Sequence, residues 1–400
     1  MGQPSTNPRL VKEANALQKA GFEVCVVYSY WTEWAWENDK ALFEQVTWNA
    51  FLAGGSPFEQ KFSYFFTRLR SKIVGFIAKN ITLKFGVAEI ARGRAYVELL
   101  KKAKSIKADL YIAHIQAALP SAVKAAKKHN AKCGFDAEDF HRHEIEDRLN
   151  SYNYKISKYI EDKYIPRVDY ITTSSPLIAQ QYASLYNREV TVLQNVFPKT
   201  PTSSLVNNNQ ENPLKLFWFS QTIGPGRGLE TVIEALRLAK IKAELHFLGM
   251  CPDDYKQYLL QISQTAGIAS DKVHFYNPVQ TDLIFAMAPA FDIGIASETG
   301  FSPNNNMALS NKLFTYIQCG LAVVASNTPA QSAFMQQYPQ AGKIYNNADD
   351  LSVILTEYNA NRDLLFQTKN ESFKIGQTVL NWENESQKFL SLVRQTSNID

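Results

Sequence analysis

Two short segments combine polar side chains with a cation in a way that suits an anionic ligand. The first is SQTIGPGRG at residues 220–228, in which Gly224 and Gly226 precede Arg227. Glycines let backbone N–H groups approach an anion, and an arginine adds a fixed charge with two parallel donors. A flexible turn with a solvated arginine is the alternative, and the loop by itself leaves both interpretations open.

The second segment opens a predicted helix with Ser310, Asn311 and Lys312. The first N–H groups of a helix lack partners within it and carry partial positive charge, so this start suits an anion. Lys312 adds a full charge, and Ser310 is the predicted N-cap. An ordinary capped helix with an exposed lysine is the alternative.

Other polar residues and glycines follow the ends of predicted strands. Ligands of open parallel sheets bind at the carboxyl ends of the strands, so we expect these residues to line sites. They are Gly249 and Gly300 with Glu298 in the C-terminal half, and His114, Asp136 and Glu138 in the N-terminal half. A carboxylate such as Glu298 accepts hydrogen bonds from sugar hydroxyls or caps its own loop. His114 is a candidate donor or a satisfied structural group.

The run DAEDFHRHE at residues 136–144 places His141 and His143 among carboxylates. This spacing matches no standard metal site, and such charged runs usually begin solvated helices. We therefore predict no metal and no cofactor.

Apolar, β-branched runs alternate with helical patterns along the chain. This alternation predicts an α/β fold with parallel sheets covered by helices on both faces. We expect two Rossmann-like, doubly wound domains that face each other across a cleft. The predicted strands lie at 22–28, 109–113, 131–136, 168–173, 190–194, 214–220, 243–248, 272–276, 291–297 and 321–326.

A polar stretch at residues 198–213 contains almost no apolar side chains and predicts a linker. It separates a domain at 1–197 from one at 214–378, and a last helix at 379–400 is expected to return to the first domain. A doubly wound domain normally opens with a strand, but the turn that starts at Gly2 has none before it. We expect the first strand of the N-terminal sheet to be missing, with the edge of 22–28 exposed.

Composition excludes some classes of protein. The 400 residues include 45% hydrophobic residues and four separated cysteines, which fits a reduced, cytoplasmic protein with real cores. The helical segment 58–107 is rich in aromatics and carries twelve basic residues between 61 and 107 against two glutamates. It suits an anionic membrane surface, or else core aromatics beneath a solvated basic face. No recognised module predicts a nucleic-acid partner.

The segment NKLFTYIQCGLAVVAS at 311–326 resembles the NKLFEYMAAGLPVVAS signature of family four ("group 1") glycosyltransferases, which have the GT-B fold. Further segments resemble that family in the same order. They are residues 7–13 with 20–24, 108–120, 135–140, 190–198 and the last helix near 380–394. The resemblance implies retaining transfer from a nucleotide-diphosphate sugar to a glycan or lipid-linked acceptor. A role in bacterial surface polysaccharide synthesis, at the inner face of the membrane, would follow.

By the same resemblance, Arg227 and Lys312 stabilise the departing diphosphate, and His114 faces the sugar from the acceptor side. Glu298, which would hold the sugar, completes the implied catalytic set of Arg227, Lys312 and His114. The remaining implied contacts fall into two groups. The donor-binding group is Gly224, Gly226, Gly249, Gly300, Phe301, Ser302, Ser310, Asn311 and Thr315, and the acceptor-side group is Gly2, Asp136 and Glu138.

Three positions depart from the family pattern. Thr222 replaces an arginine of the donor loop, Thr315 replaces the second glutamate that holds the ribose, and Glu138 replaces a histidine. An inactive or weakly active partner subunit with the same fold is therefore the alternative function. A sugar-nucleotide epimerase is a third.

Overall fold

The computed structural model describes residues 2–200 and 211–398, so residues 201–210 of the predicted linker lie outside the described residues. The chain forms two compact units. The first contains the chain up to Gln194, Ser302–Asn304 and the residues from Ser386 onward. The second contains Asn195–Phe301 and Asn305–Glu385.

Strands and helices alternate through the described residues. The strands are β1 (Cys25–Tyr28), β2 (Asn49–Leu52), β3 (Leu110–His114), β4 (Lys132–Glu138), β5 (Tyr170–Thr173), β6 (Thr191–Val192), β7 (Leu214–Thr222), β8 (Ala243–Met250), β9 (Val273–Tyr276), β10 (Ile293–Ala296), β11 (Ala322–Ser326) and β12 (Gly342–Tyr345). The helices are α1 (Pro8–Lys19), α2 (Glu33–Gln45), α3 (Lys61–Asn80), α4 (Val87–Arg92), α5 (Tyr96–Ser105), α6 (Leu119–His129), α7 (Tyr152–Tyr164), α8 (Pro176–Tyr186), α9 (Leu229–Ala239), α10 (Asp253–Thr265), α11 (Thr281–Met287), α12 (Pro303–Met307), α13 (Asn311–Cys319), α14 (Pro329–Gln337), α15 (Ala348–Ala360), α16 (Arg362–Thr378) and α17 (Trp382–Ser397).

The second unit is built on a six-stranded parallel sheet in the order β12-β11-β10-β7-β8-β9. This confirms the predicted parallel α/β class. Strand β11 is buried on both faces, as its unbroken apolar sequence predicted. Gly320 ends α13 in the left-handed region, with φ of 67°, which a glycine adopts without steric cost. The chain can therefore reverse directly from the helix into this interior strand of the sheet.

The sheet of the first unit is in two separate parts. β3, β4, β5 and β6 form one parallel sheet, and β1 pairs with β2 in another. Helix α1 begins at Pro8, and the side chain of its N-cap residue, Asn7, accepts a hydrogen bond from the Leu10 amide at 3.0 Å. The neighbouring Thr6 hydroxyl donates to the Gln3 carbonyl. No strand of the described residues lies between β1 and β3.

Segment 58–107 is helical, as predicted, and its aromatics point largely to solvent. Phe62 and Phe85 are 87% and 94% exposed, and Phe65, Phe66, Leu69, Ile73, Phe76 and Ile81 are also exposed. The interpretation of these residues as core aromatics is wrong for this set. None of the described helices is both long and apolar enough to cross a bilayer.

Candidate functional site

The loop that carries Arg227 is fastened to the end of β10. The Ser297 hydroxyl donates to the Arg227 carbonyl at 2.6 Å and accepts from the Trp218 indole at 3.0 Å. The Thr299 hydroxyl donates to the Gly226 carbonyl at 3.2 Å. The loop 220–228 and the segment 297–299 are therefore hydrogen-bonded to each other at the carboxyl ends of β7 and β10, where ligands of parallel sheets bind.

Lys312 lies at the same place, in the first turn of α13. Its Nζ is 2.9 Å from Glu298 Oε1 and 5.3 Å from the centre of the Trp218 ring. Glu298 directly follows Ser297, which holds the Arg227 backbone. The main chain of Arg227 and the ammonium group of Lys312 are thus bound by two consecutive residues, Ser297 and Glu298, just after β10.

Glu298 holds Lys312 in position. Burial by itself raises the pKa of Glu298, but the Lys312 charge and the hydrogen bonds from Ser310 and Asn305 outweigh burial and lower it. The carboxylate is therefore ionised at neutral pH and already has three donors. The sequence suggested a sugar ligand or a loop cap, and the structure adds the role of positioning Lys312.

Ser310 does not cap α13 with its side chain. Its hydroxyl donates to Glu298 Oε1 at 2.9 Å, because an ionised carboxylate is a strong acceptor. The prediction of a Ser310 side-chain cap is therefore wrong. The amino end of α13 keeps its amide groups without that cap, as an anion-binding start requires.

Two predicted donor contacts lie away from solvent. Thr315 is 2% exposed, and its hydroxyl donates to the Asn311 carbonyl within the helix. Ser302 is buried in the first unit, and its hydroxyl donates to the Glu144 carbonyl. The structure presents neither side chain to a ligand. Phe301, by contrast, is 65% exposed.

The predicted glycines form two pairs. Gly249 and Gly300 are required by packing, since a Cβ would collide with the Ser220 carbonyl at Gly249 and with the Asn306 carboxamide at Gly300. Gly224 and Gly226 have open space where a Cβ would lie. Packing therefore does not explain the glycines at 224 and 226.

In the first unit, His114 belongs to a buried cluster of charges. His114 Nδ1 is 3.2 Å from Asp136 Oδ2, and its Nε2 is 3.4 Å from Glu13 Oε2. Arg9 Nε lies 2.7 Å from the same Asp136 oxygen. Asp136 is 1% exposed, so the prediction that it faces an acceptor is wrong. Arg9 and Glu13 were not predicted as site residues. Their spacing of four residues on α1 is nevertheless that of an ion pair on one helix face.

The charges of this cluster set the protonation of its members. Burial by itself disfavours the charged forms, but Arg9 and His114 lower the pKa of Asp136, and Glu13 and Asp136 raise that of His114. Burial raises the pKa of Glu13 to about 7. A buried carboxyl group thus titrates near neutrality beside an ionised one.

Glu138 is the more accessible acidic residue on this side. Burial, together with the charges of Asp136 and Asp139, raises its pKa to about 7. Its φ of 58° lies in the left-handed region, where a glutamate is uncommon, at an irregularity in the pairing of β4 with β5. Such backbone outliers concentrate at functional sites, so Glu138 stays an acceptor-side candidate.

Two groups in the described residues have ligand atoms close enough for a metal ion. They are Glu13, His114 and Asp136, and Glu244, His246 and His274. Arg9 already compensates the first group. In the second, Lys272 pairs with Glu244, and the imidazoles stack 4.5 Å apart at 13°, so one ion cannot lie in both ring planes. Neither group is therefore a convincing metal site. His141, from the run 136–144, pairs with Glu144.

The raised pKa of Glu13 predicts a pH dependence of stability. The folded state keeps the Glu13 proton between pH 4.5 and about 7 whereas the unfolded state loses it, so stability falls as pH rises through that window. Glu13→Gln should remove up to about 3 kcal/mol of this fall. Melting temperatures at pH 5.0 and 6.5 would therefore converge, whereas the exposed Glu33→Gln should leave their difference unchanged. An unchanged difference for Glu13→Gln would contradict the burial of its ionisable carboxyl group.

The α/β architecture is that of the GT-B glycosyltransferases. No protein-family model matches the sequence, and no curated protein matches it significantly. The fold is therefore established by solved structures, which cover nearly the whole chain.

Three of those structures show the extent of the likeness. HepE from Anabaena in complex with UDP has a TM-score of 0.68 at 14% identity, over 98% of this chain and 98% of its own. Sucrose-phosphate synthase from Thermosynechococcus elongatus has a TM-score of 0.68 at 13% identity, over 98% and 94%. The lipopolysaccharide outer core galactosyltransferase WaaB has a TM-score of 0.60 at 12% identity, over 98% of each chain.

Proposed function

We propose that this protein is a retaining glycosyltransferase that moves a sugar from a nucleotide-diphosphate donor to a glycan or lipid-linked acceptor. The observation that carries the proposal is the joining of the Arg227 loop and Lys312 through Ser297 and Glu298 at one sheet edge. HepE, which has this fold, binds UDP. Family resemblance supplies the retaining stereochemistry and the role in surface polysaccharide synthesis in the cytoplasm.

In this mechanism, the donor's diphosphate leaves as negative charge builds on it. The Arg227 guanidinium and the Lys312 ammonium stabilise that charge, helped by the uncapped amides that open α13. Hydrogen-bond donors and cations that already point to where charge develops usually make the largest contribution to stabilising the transition state. Glu298 keeps the Lys312 ammonium in place before the donor arrives.

The sugar itself would be held by the main chain around Gly300 and Phe301. On the acceptor side we assign Glu138, because a carboxyl group with a pKa of about 7 can take the proton of an attacking hydroxyl. Gly2 and His114 remain proposed contacts there. His114 then acts mainly by ordering the charges around it.

A binding subunit without activity is the second candidate. It is favoured by the burial of Thr315 and by the three donors that already occupy Glu298. Such a protein would still bind a nucleotide but would not transfer or hydrolyse a sugar. Activity measurements on a donor that binds therefore separate the two functions.

A panel of nucleotides tests the proposal directly. We expect UDP or a UDP-sugar to raise the melting temperature by several degrees, because a ligand that binds only the folded state stabilises it. GDP- and ADP-sugars and the free sugar serve as comparisons in differential scanning fluorimetry. Donor hydrolysis is then measured for the compound that binds. Absence of a shift with every nucleotide would overturn both candidate functions.

The exposed aromatic surface of α3 and the residues after it, here called the α3 surface, supports a membrane-apposed acceptor. Phe62, Phe65, Phe66, Leu69, Ile73, Phe76, Ile81 and Phe85 form this surface. Lysines and arginines lie between them in the sequence, and each basic residue near an anionic bilayer adds about 1 kcal/mol. We therefore propose that the α3 surface rests on anionic lipid.

Liposome flotation checks this surface. We expect binding to vesicles with about one third anionic lipid, weakened by high salt because exposed charges are screened. Phe62→Ser with Phe76→Ser should reduce binding by roughly tenfold or more, since two exposed rings that would enter the bilayer are removed. Val353→Ser, which alters an exposed apolar residue of the second unit, is the matched control. Equal flotation of the double variant and the control would exclude the α3 surface.

A further inference from the structure

A small cavity of the first unit is surrounded by arginines. It has a volume of about 220 Å³ and lies just beyond the carboxyl end of β1. We call it the arginine pocket, and its walls include Tyr30, Trp31, Tyr64, Arg68, Arg92 and Arg94. Among the described residues that line it, three are arginines and none is acidic. A cleft lined by charge of one sign concentrates ions of the opposite sign, so this lining favours an anion.

Arg94 is fixed in the wall of the pocket by neutral groups. One of its terminal nitrogens donates to the Gly54 carbonyl at 2.7 Å and also to the Thr67 hydroxyl. The other donates to the carbonyls of Tyr30 and Gly55, at 3.2 and 3.3 Å. These four acceptors are uncharged, so they hold the guanidinium in place without neutralising it. Arg94 therefore supplies a fixed positive charge.

The other two arginines keep N–H donors for a ligand. The Arg68 side chain is exposed and donates to the Tyr64 hydroxyl, a neutral group, at 2.6 Å. This bond uses one of the five N–H groups of the guanidinium. Arg92 lies 3.8 Å from Glu144 Oε2, beyond hydrogen-bond distance, and the same oxygen is 3.0 Å from His141 Nδ1. Arg68 and Arg92 are therefore the direct anion ligands of the pocket.

The positive charges of this region repel one another. The guanidinium groups of Arg68 and Arg94 lie 5.4 and 4.9 Å from the centre of the same Tyr64 ring. Burial, together with the charges of Arg68 and Arg70, lowers the pKa of Arg94. An anion among these groups offsets the repulsion, and a doubly charged anion does so more than a singly charged one. Guanidinium groups also match the oxygens of a phosphate with two parallel donors.

The size of the pocket and its contact with the α3 surface define the anion further. Pockets for drug-sized ligands enclose about 300–1,000 Å³, so a cavity of about 220 Å³ suits a phosphate or diphosphate group rather than a nucleotide sugar. Phe65, which belongs to the α3 surface, is 64% exposed, and its ring packs edge-on against Tyr64 at 5.5 Å between centres. The exposed apolar surface thus reaches the wall of the pocket. A ligand that contacts both has a phosphate group and a hydrocarbon chain.

We propose that the arginine pocket binds the diphosphate group of a lipid-linked acceptor, whose hydrocarbon chain continues along the α3 surface. A diphosphate that joins a glycan to a lipid is doubly charged, whereas the phosphate of an ordinary phospholipid is singly charged. Arg68 and Arg92 bind the diphosphate oxygens, and Arg94 adds its fixed charge. The identity of the ligand as an acceptor rests on the proposed function, but its binding is measured without sugar transfer.

Calorimetric titration with geranyl diphosphate tests the proposal. Excess UDP is added, so that a donor site beside Arg227 is filled. Arg68→Gln with Arg92→Gln should weaken binding by about 10²-fold or more, because each charge-assisted hydrogen bond contributes roughly tenfold. Lys72→Gln with Lys79→Gln is the matched control, since it removes two exposed charges from α3 outside the pocket. The control should change the affinity by less than about threefold.

Two further measurements identify the source of the phosphate. Inorganic pyrophosphate should bind at least about tenfold more weakly than geranyl diphosphate, because it lacks the chain that contacts the α3 surface. On phosphatidylglycerol vesicles, the arginine variant and the lysine control should lose flotation equally, since each loses two basic residues. Equal binding of the two diphosphates would overturn the lipid assignment. A larger loss of flotation for the arginine variant would assign the pocket to bulk phospholipid and overturn the proposal as well.

The proposal also fails if geranyl diphosphate binds the arginine variant and the lysine control with equal affinity. Both variants should unfold within about 2 °C of the unaltered protein, because the substituted side chains break no buried ion pair. UDP should raise the melting temperature of the arginine variant as much as that of the unaltered protein. If no nucleotide shifts either protein while the arginine variant still loses geranyl diphosphate, the glycosyl transfer fails and the diphosphate site stands.

Discussion

Arg227→Ala is expected to reduce sugar transfer by about 10² to 10³-fold while the protein keeps its melting temperature. The guanidinium of Arg227 makes no ion pair within residues 2–200 and 211–398, so its removal leaves no buried charge behind. Its backbone carbonyl, which binds Ser297, is retained in the variant. The loss should therefore fall on the stabilisation of the departing diphosphate alone.

The measurement is the turnover of the donor that the nucleotide panel identifies, together with the thermal unfolding curve. Arg237→Ala on α9 is the matched control, because Arg237 is an exposed arginine whose ion pair is with Glu234 on the same helix. We expect the control to change turnover less than twofold. Unchanged turnover for Arg227→Ala would remove Arg227 from the proposed mechanism.

Lys312→Met should be costly for both stability and activity. It leaves the mostly buried carboxylate of Glu298 without its cation, and breaking a buried pair in this way costs roughly 3 kcal/mol. For a unit of this size, that corresponds to a fall in melting temperature of roughly 6 to 12 °C. Turnover should fall by at least 10²-fold, because a charge next to the diphosphate is lost.

The double variant Glu298→Gln with Lys312→Met separates the two effects. It removes both charges, so most of the lost stability should return, while turnover stays low. Thermal unfolding and donor turnover of the four proteins form a double-mutant cycle. Lys343→Met, which breaks the more exposed pair with Glu357, is the control and should cost under about 1 kcal/mol. Recovery of turnover in the double variant would show that Lys312 acts only as a partner of Glu298.

Most of the strands were predicted correctly from the sequence. Each of the ten apolar runs contains a strand in the structure, because strands covered on both faces need unbroken apolar sequence. The two strands that were missed, β2 and β12, are four residues long and carry partly exposed side chains. Their sequences lack a long apolar run, and only pairing with β1 and β11 makes them strands.

Site residues were harder to predict than strands. Sequence position placed Asp136 and Thr315 near ligand-binding ends of elements, but both side chains are buried and bonded within their own unit. Local sequence cannot report burial of a polar group, which depends on partners far away in the chain. Arg9 lies 127 residues before Asp136, and no spacing rule connects them.

The sequence by itself determined the parallel α/β class, the helical nature of 58–107 and the turn of α13 into β11 at Gly320, because periodicity and glycine chemistry are local. Only the tertiary structure decided that Lys312 is held by Glu298, that Ser310 does not cap its helix, and that β1 and β2 pair apart from the sheet of β3 to β6. Each of these depends on which distant residues meet in space, and the energy of those contacts outweighs local preference.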